Sequence, residues 1–380
     1  MKDLKLNNSK ILLLCTTDNM IWQFLIPHIQ DLTAYGAKVD CVCSKTGFWF
    51  EELQNKFNFN MIEIDMKRKP INLTNYRAYK AIKKLHKQNK YDLIYCQQPT
   101  GGFLGRFVGK KYHIPVIYTA HGFFFFKGNS KLKNLIFKSA EKYMARYTDI
   151  LITMNDEDFV ASAKWKAKEK YKINGIGLDV AKYSDEKFDK ESFRKKLGID
   201  ENEKVLLSVS EFIPRKNYKT MLECVARISK KRRDFKYILC GTGAELENMK
   251  SLAKELNIQD LTLFLGYRKD IDRIMQISDI FYHQSFHEGL TMGIIEAMHF
   301  ALPVVSSNVR GNKDLIDEDK GGFLTEPLDM ASQMEAIEKL MDDNDLCQKM
   351  GSYNKEKSEN YSLESVKKQL ENIYKENGLI

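Results

Sequence analysis

Two glutamates, Glu288 and Glu296, flank a short turn that opens into an apolar stretch, and Gly289 follows the first of them directly. The next segment, Pro303-Val-Val-Ser-Ser, is typical of a buried strand. Free N–H groups at the start of a helix can hold a phosphate. One carboxylate can then bind a sugar while the other binds a ribose. The same spacing also fits a purely structural interpretation. In it, Glu288 only complements a helix dipole, and Glu296 is a solvated helix residue.

These residues must be positioned by a scaffold in which short apolar runs alternate with longer amphipathic ones. The predicted strands are Lys10–Cys15, Lys38–Val42, Phe59–Ile64, Leu93–Cys96, Val116–Thr119, Ile150–Thr153, Val205–Val209, Tyr237–Cys240, Thr262–Leu265, Ile280–His283, Val304–Ser306 and Gly322–Leu324. Helices are predicted near 22–35, 47–56, 74–88, 101–112, 133–147, 217–229, 243–256, 270–277, 291–300, 312–317 and 330–342. This alternation predicts an α/β protein with parallel, doubly wound sheets. A charged connector over 183–203 divides the strands into two Rossmann-like domains.

Polar residues and glycines follow the predicted strands in both halves of the chain. Ligands of doubly wound sheets bind at the carboxyl ends of the strands, and two such domains facing each other make a cleft. The residues at these ends are Thr16–Asn19, Gln97–Gly102 and His121 in the first half, and Glu211, Arg215, Lys216, Gly241, Gly243, Tyr267, Arg268 and Glu288 in the second. The sequence therefore predicts a ligand site built from strand-end loops.

Charge is distributed unevenly along the 380 residues. Residues 1–190 hold 32 Lys and Arg against 19 Asp and Glu, a net charge of +13, and residues 66–140 contain sixteen basic residues and one acid, Asp92. This imbalance predicts an anionic partner for the first half. The seven scattered cysteines indicate reduced thiols. The sequence predicts neither a transmembrane helix nor a signal peptide.

Several motifs besides the two glutamates resemble those of the family 4 retaining glycosyltransferases. They are Tyr91-Asp-Leu-Ile-Tyr, Gly101-Gly-Phe-Leu-Gly-Arg, Thr119-Ala-His-Gly-Phe, Gly175-Ile-Gly-Leu-Asp, Ser210-Glu-Phe-Ile-Pro-Arg-Lys-Asn, Cys240-Gly-Thr-Gly and Ser278-Asp-Ile. The likeness is strongest to the branch that builds capsule, exopolysaccharide and O-antigen. It implies the two-domain GT-B fold, with an acceptor domain at 1–185, a donor domain at 186–360 and a C-terminal helix, 361–380, that returns to the first domain.

The resemblance also implies roles for residues of the donor domain. Glu296 would bind ribose hydroxyls, and Lys216 with Arg215 would bind the diphosphate, aided by N–H groups of Gly289, Leu290 and Thr291. Backbone groups of Tyr267 and Arg268 would contact the base, and Glu288 would bind hydroxyls of the donor sugar. Glu211 stands where many family members carry arginine. Gly241 and Gly243 form an incomplete glycine fingerprint, since position 246 is Leu, and they can equally serve only a tight turn.

Roles implied for the first domain concern the reacting carbon and the acceptor. His121 would face the donor sugar near its anomeric carbon. The candidate contacts to an acceptor or a membrane are Asp18, Asn19, Gln98, Gly101, Gly102, Phe124, Phe125 and Lys127. The Phe123–Phe126 run is predicted to form an apolar wedge next to lysines at a membrane surface. Burial of two or three of these rings in the core is the alternative.

These features together predict a retaining transferase that moves a sugar from a nucleotide diphosphate, UDP above all, to a polyprenyl-diphosphate-linked saccharide. The resemblance implies that no catalytic metal is needed, although Asp-x-Asp pairs occur, as at Asp270 and Asp272, and we expect no cofactor. The expected location is the cytoplasm, peripheral on the inner face of the membrane. A small soluble acceptor is the first alternative. A nucleic-acid-binding protein would explain the basic half but lacks a recognition motif, and an NAD-dependent dehydrogenase would need the complete glycine fingerprint.

Overall fold

The computed structural model describes residues 4–47, 49–68, 72–183 and 188–380. The chain divides into two compact units, one formed by Met1–Gly177 with Leu363–Ile380 and the other by Leu178–Ser362. The predicted boundary between residues 185 and 186 lies outside the described residues, as does residue 48 of the helix predicted over 47–56.

The first unit is built on a parallel sheet with the strand order β3-β2-β1-β4-β5-β6-β7. Its strands are β1 (Lys10–Thr17), β2 (Lys38–Ser44), β3 (Asn60–Glu63), β4 (Leu93–Gln97), β5 (Val116–Ala120), β6 (Ile150–Thr153) and β7 (Glu169–Lys172). Residues 11–16 of β1 are buried without interruption. Such a continuous buried run is what a parallel strand covered on both faces requires.

Helices connect these strands in the order in which the alternation predicts them. They are α1 (Asp18–Met20), α2 (Ile26–Ala34), α3 (Phe50–Lys56), α4 (Leu73–Asn89), α5 (Gln98–Tyr112), α6 (Lys131–Met144) and α7 (Asp156–Ser162), and a π-helical segment, Ile21–Leu25, joins the first two. The sequence pattern missed α7 and β7. The β7 segment reads Glu-Lys-Tyr-Lys at the edge of the sheet, where a strand needs few apolar residues.

The second unit contains another parallel sheet, with the order β10-β9-β8-β11-β12-β13. Its elements are α8 (Lys190–Lys196), β8 (Lys204–Val209), α9 (Tyr218–Ile228), β9 (Phe235–Cys240), α10 (Leu246–Glu255), β10 (Thr262–Gly266), α11 (Ile271–Gln276), β11 (Ile280–His283), α12 (Met292–His299), β12 (Val304–Ser307), α13 (Asn312–Leu315), β13 (Gly322–Thr325), α14 (Met330–Asp342) and α15 (Asn344–Ser358). All six strands predicted for this half are confirmed. The charged segments that form α8 and α15 were not predicted as helices.

The last helix, α16 (Leu363–Glu376), returns to the first unit. Its Lys367 forms an ion pair of 2.9 Å with Asp31, and Gln369 Oε1 accepts a hydrogen bond from the Asn174 backbone N–H. The Leu6 N–H donates to the carbonyl of Leu379. These contacts join the C-terminal segment to both the beginning and the end of Met1–Gly177, as the predicted crossover requires.

Candidate functional site

Glu288 lies in the turn between β11 and α12 and is the centre of a buried cluster of charged and polar groups. Its Oε2 lies 2.6 Å from Arg215 Nη1, and its Oε1 lies 2.7 Å from Lys216 Nζ. His283 Nε2 is 3.2 Å from the same Oε1. Arg215 Nη1 also donates to the carbonyl of His287 at 2.9 Å. The carboxylate assigned to the sugar and the two cations assigned to the diphosphate therefore meet at one point.

The protonation states in this cluster follow from burial and neighbouring charge. Burial alone would raise the pKa of Glu288, but Lys216, His283 and Arg215 outweigh it and hold the pKa well below its usual range. Burial lowers the pKa of His283, and Lys216 lowers it further. Glu288 is thus an anion and His283 a neutral imidazole at neutral pH. Two cations against one anion leave the cluster suited to a further anionic group.

The loop that follows Glu288 is fixed by the loop that follows β12. Arg310 Nε donates to the carbonyl of Glu288 at 2.9 Å, and Thr291 Oγ1 donates to Asn312 Oδ1 at 2.6 Å. Gly311 has φ +82°, and a Cβ there would come within 2.3 Å of the Gly289 carbonyl oxygen. A glycine is therefore required at 311. The sequence analysis missed these residues, although their position just after a strand, Val304–Ser307, was a usable signal.

Gly241 and Gly243 allow two strand-end loops to pack closely. Their φ angles are +143° and +152°, and a Cβ would lie 2.0 Å from the Ser210 carbonyl oxygen and 2.4 Å from that of Phe212. The Phe212 N–H donates to the Thr242 carbonyl at 2.8 Å across the same contact. These glycines thus bring the loop after β9 against the loop that carries Arg215 and Lys216. The neighbouring Glu211 is exposed.

Glu296 lies inside α12 and has a partner of its own. The Tyr183 hydroxyl is 3.0 Å from Glu296 Oε1, and the Tyr183 ring packs on His299 and Phe300 with centroid separations of 5.8 and 5.1 Å. Burial raises the pKa of Glu296 to about 7, against the opposing effect of the Tyr183 hydrogen bond. The carboxyl group therefore changes its charge close to neutral pH.

The loop after β10 carries Tyr267 and Arg268. The Tyr267 side chain is exposed, whereas the Arg268 guanidinium makes a double hydrogen bond to Asp270 at 2.8 and 2.6 Å. This ion pair lowers the pKa of Asp270, since its carboxylate accepts both bonds. The side chain of Arg268 is thus held within its own loop. Contact between a base and the backbone groups of Tyr267 and Arg268 stays a prediction.

Leu290 packs against the apolar core of the second unit. This packing gives its side chain a structural role, and the assignment of its backbone N–H to the diphosphate stays a prediction.

In the first unit, His121 follows β5 and is bound by Gln97 at the end of β4. His121 Nε2 lies 2.7 Å from Gln97 Oε1. Because an amide oxygen only accepts, Nε2 carries the proton and Nδ1 keeps its lone pair. Burial lowers the pKa of His121 to about 3, and His28 adds to this effect. His121 is therefore a neutral imidazole held in one tautomer.

Two of the predicted acceptor contacts are structural residues. Asp18 is fully buried, and both its carboxylate oxygens lie 3.2 Å from the Thr46 backbone nitrogen. The prediction that Asp18 binds the acceptor is therefore wrong. Gln98 Oε1 accepts from the Thr16 N–H at 3.1 Å, so it links α5 to β1. Asn19 is half-buried and stays a prediction.

Gly101 and Gly102 are explained by the packing of α5 on the sheet. A Cβ at Gly101 would lie 2.8 Å from the Leu14 carbonyl oxygen, and one at Gly102 would lie 2.4 Å from the Tyr118 ring. Both glycines are buried. Their assignment to an acceptor is not supported, because the close approach of α5 to β1 and β5 already accounts for them.

The phenylalanine run does not form an exposed wedge. Phe123 and Phe125 are buried in the core of the first unit, where their rings stack with centroids 5.1 Å apart. Phe124 is half-buried and packs on Phe137, with 5.4 Å between centroids. The predicted wedge is therefore wrong, and the alternative of core burial is right. Lys127, just after the run, is exposed.

Within residues 4–47, 49–68, 72–183 and 188–380, no three His, Cys, Asp or Glu side chains are grouped so that they could hold a metal ion. The same part of the chain contains no helix with the length and apolarity needed to cross a membrane.

Comparisons with known proteins identify the family of the chain. A family profile described as glycosyl transferases group 1 matches residues 189–357, and one described as glycosyl transferase 4-like matches residues 10–155. The chain is 30% identical over 269 residues to the Escherichia coli UDP-Gal:alpha-D-GlcNAc-diphosphoundecaprenol alpha-1,3-galactosyltransferase, covering 69% of this chain and 70% of that protein. The chain belongs to glycosyltransferase family 4.

Two further comparisons extend over nearly the whole of this family 4 transferase. It is 28% identical over 371 residues to the putative glycosyltransferase EpsD of Bacillus subtilis, with 96% of each chain covered. The crystal structure of Anabaena Alr3699/HepE in complex with UDP and glucose matches with a TM-score of 0.80 at 19% identity, covering 97% of this chain and 100% of that one. The predicted GT-B fold is confirmed. In this transferase, the cluster around Glu288 occupies the carboxyl ends of β8 and β11, where ligands of such sheets bind.

Proposed function

We propose that this transferase moves a sugar, with retention of configuration, from a UDP-sugar to a polyprenyl-diphosphate-linked saccharide. The observation that carries the donor half of the proposal is the buried cluster in which Glu288 contacts Arg215 and Lys216 at 2.6 and 2.7 Å. UDP is favoured as the nucleotide because the Escherichia coli relative is named for UDP-Gal, and the Anabaena structure holds UDP.

The donor diphosphate would be bound by the cations of the cluster. Arg215, Lys216 and the N–H groups of Gly289–Thr291 stabilise the negative charge that the leaving UDP acquires. Glu288 keeps its bond to Lys216 and accepts hydrogen bonds from hydroxyls of the sugar. These two cations provide the charge stabilisation that a metal supplies in other transferases, so we propose that the reaction needs none.

The proposed reaction is a front-face substitution. The bond between the anomeric carbon and the UDP oxygen breaks, and the acceptor oxygen bonds to the same face of that carbon. The departing phosphate oxygen takes the acceptor's proton. We assign His121 to the developing positive charge at this carbon, because a neutral imidazole with a free Nδ1 lone pair can stabilise a cation.

The proposed acceptor is inferred from the positive charge of the first half of the chain and from the name of the Escherichia coli relative. The name of the Escherichia coli protein specifies a GlcNAc attached to diphosphoundecaprenol. Sixteen basic residues against one acid over residues 66–140 exceed what one donor diphosphate needs. A lipid diphosphate in an anionic membrane leaflet would use the surplus. We therefore propose that the enzyme works peripherally at the inner face of the cell membrane, in the synthesis of a surface polysaccharide.

The function is tested by product analysis. The purified chain is incubated with a panel of UDP-sugars, with and without a polyprenyl-diphosphate-linked saccharide, and the product is examined by NMR. We expect transfer from one UDP-sugar to the lipid-linked acceptor, with the anomeric configuration of the donor preserved and with activity unchanged by EDTA. An inverted linkage would contradict the proposed mechanism, and transfer only to a small soluble acceptor would contradict the proposed substrate.

Removing the Glu296 carboxylate is expected to weaken UDP binding. Loss of a charge-assisted hydrogen bond costs about 1.5–3 kcal/mol, so Glu296→Ala should lower the affinity by about tenfold or more. The pKa of about 7 adds a pH dependence. As pH rises through this value the carboxyl group ionises and accepts ribose hydroxyls more strongly, so the affinity should rise.

Isothermal titration with UDP at several pH values measures both effects. Glu335→Ala, at an exposed site on α14, is the matched control and should bind like the wild type. Glu296→Gln should lose the inflection near neutral pH. Unchanged affinity in Glu296→Ala would remove Glu296 from the donor site.

A further inference from the structure

Helix α6 exposes an apolar face. Leu132, Leu135, Ile136 and Tyr143 are 66%, 65%, 54% and 44% exposed. At 100° per residue these four positions fall on one side of the helix, within about 100° of arc. Single exposed apolar residues need no explanation, but a contiguous stripe of this kind marks an interaction surface.

The opposite side of α6 is fixed to the protein by polar contacts. Arg106, which is 1% exposed, forms a 2.8 Å ion pair with Glu141. Asn134 Oδ1 accepts from the Phe126 N–H at 3.2 Å, and its Nδ2 donates to the Phe126 carbonyl at 2.9 Å. Breaking a buried ion pair is costly because it leaves a charge without compensation. The helix therefore cannot rotate its apolar stripe inward at low cost.

Lysines flank the apolar stripe on both sides. Lys131, Lys138 and Lys142 lie along one border and Lys133 along the other, and all four are exposed. This arrangement of apolar centre and basic borders is that of a helix lying in a membrane interface, where long lysine side chains reach the head groups.

The neighbouring helix α5 and the segment after α6 extend the basic surface. Lys110 Nζ lies 5.7 Å from the Tyr143 ring centroid and 4.3 Å from that of Tyr147. Arg146 lies 5.7 Å from the Tyr143 ring. Tyrosine rings beside cations at the border of an apolar stripe are typical of the membrane–water interface. Glu141, the acidic residue of α6, is paired with Arg106 on the inner side of the helix, so the outer face carries positive charge.

We propose that α6 is the element with which this chain docks on an anionic lipid bilayer, with Leu132, Leu135, Ile136 and Tyr143 entering the interface and the lysines meeting the head groups. The charge complementarity selects a lipid surface over an apolar protein groove. The role rests on the proposed function only in that a lipid-linked acceptor would lie in the same leaflet. Docking itself requires no donor and no transfer.

The test is sedimentation of the full chain with vesicles. Wild-type protein is mixed with vesicles of phosphatidylcholine alone or of phosphatidylcholine and phosphatidylglycerol in equal parts. The variants are the double change Leu135→Ser/Ile136→Ser and the triple change Lys131→Gln/Lys138→Gln/Lys142→Gln. The matched control is Val160→Ser/Leu328→Ser, which removes exposed apolar side chains elsewhere. Tryptophan fluorescence of each variant checks that the first unit, which contains α6 and all three tryptophans, is intact.

We expect the wild type and the control to sediment with the anionic vesicles and not with those of phosphatidylcholine alone. The apolar double variant should partition about tenfold less, and the lysine variant should lose the preference for anionic lipid. Equal sedimentation of wild type and double variant would overturn the proposal, as would equal binding of the wild type to both kinds of vesicle. If instead the wild type is a dimer, the double variant is a monomer and both bind vesicles equally, the stripe would be assigned to contact with a second copy of the chain.

The same variants separate this proposal from the proposed function. If the wild type docks through α6 but transfers no sugar to a lipid-linked acceptor, docking stands and the substrate assignment fails. If transfer to a detergent-solubilised acceptor proceeds equally in wild type and double variant while vesicle binding is also equal, the substrate assignment stands and the role of α6 fails.

Discussion

Glu288→Gln is expected to destabilise the second unit more than any other single change at the site. The substitution leaves the buried Lys216 and the adjacent Arg215 without their carboxylate partner. Removing one partner of a buried ion pair costs about 3–5 kcal/mol. The neutral amide also lacks the full negative charge with which the carboxylate accepts hydrogen bonds from Lys216, Arg215 and His283. UDP should restore part of the loss, because its diphosphate supplies the missing negative charge.

The sign of the pH dependence follows from the depressed pKa of Glu288. A carboxyl group with a lowered folded-state pKa contributes stability above its unfolded pKa, and this stability disappears as pH falls through the folded-state value. The difference in the free energy of unfolding between wild type and Glu288→Gln should therefore have its full size at neutral pH. It should begin to shrink as pH falls below the ordinary pKa of a glutamate, and it should vanish once pH has passed the lower folded-state value.

Hydrogen exchange is the suitable measurement because all three tryptophans, Trp22, Trp49 and Trp165, lie in the first unit. Tryptophan fluorescence would not report on the second unit. Peptides that cover β8 and β11 should lose protection in Glu288→Gln. Glu211→Gln, at an exposed position near Arg215, is the matched control. Equal protection in the two variants would mean that the cluster contributes little to folding.

His121→Ala is expected to lower kcat by about a hundredfold, the scale found when one preorganised electrostatic contact to a transition state is removed. UDP affinity should change little, since the proposed contribution of the imidazole develops only in the transition state. With a pKa of about 3, His121 stays neutral above pH 5. The wild-type kcat should therefore show no inflection from this histidine between pH 5 and 8.

Steady-state kinetics with the preferred UDP-sugar, together with UDP titration, measures these effects. His113 is exposed and ends α5 with φ +55°. His113→Asn tolerates that backbone and should behave like the wild type. Gln97→Leu should lower kcat less than His121→Ala does, because it keeps the imidazole and removes only the hydrogen bond that fixes its tautomer. A parallel loss of kcat and UDP affinity in His121→Ala would point to a role in donor binding or in folding.

The strand positions could be predicted because a parallel strand buried on both faces needs an apolar run, as in residues 11–15 of β1. The sequence also indicated which residues follow the strands, because chain order decides that directly. The edge strand β7 and helices α7, α8 and α15 could not be predicted in this way. Their segments are rich in charge, and it is position in the fold that decides whether such a segment is ordered.

The same division holds for the candidate site. Glu288, Arg215 and Lys216 were all selected from the sequence, and the contact between them joins residues 72 and 73 positions apart. Local sequence could not predict that the carboxylate and the cations share one cluster, nor that His283 and Arg310 complete it. Asp18 and Phe125 were misassigned for the related reason that their burial depends on distant partners, Thr46 for one and Trp165 for the other.

The sequence by itself determined the fold class, the family and the set of strand-end residues, because periodicity, motif order and chain position are local properties. Only the tertiary structure decided which side chains are free to act. Four consecutive phenylalanines suggested an exposed wedge, yet two of them are core residues. The exposed apolar face belongs to α6 instead, where Glu141 turns inward to a buried Arg106. Which face of a helix meets solvent depends on the long-range partners of its polar residues, and periodicity alone does not specify them.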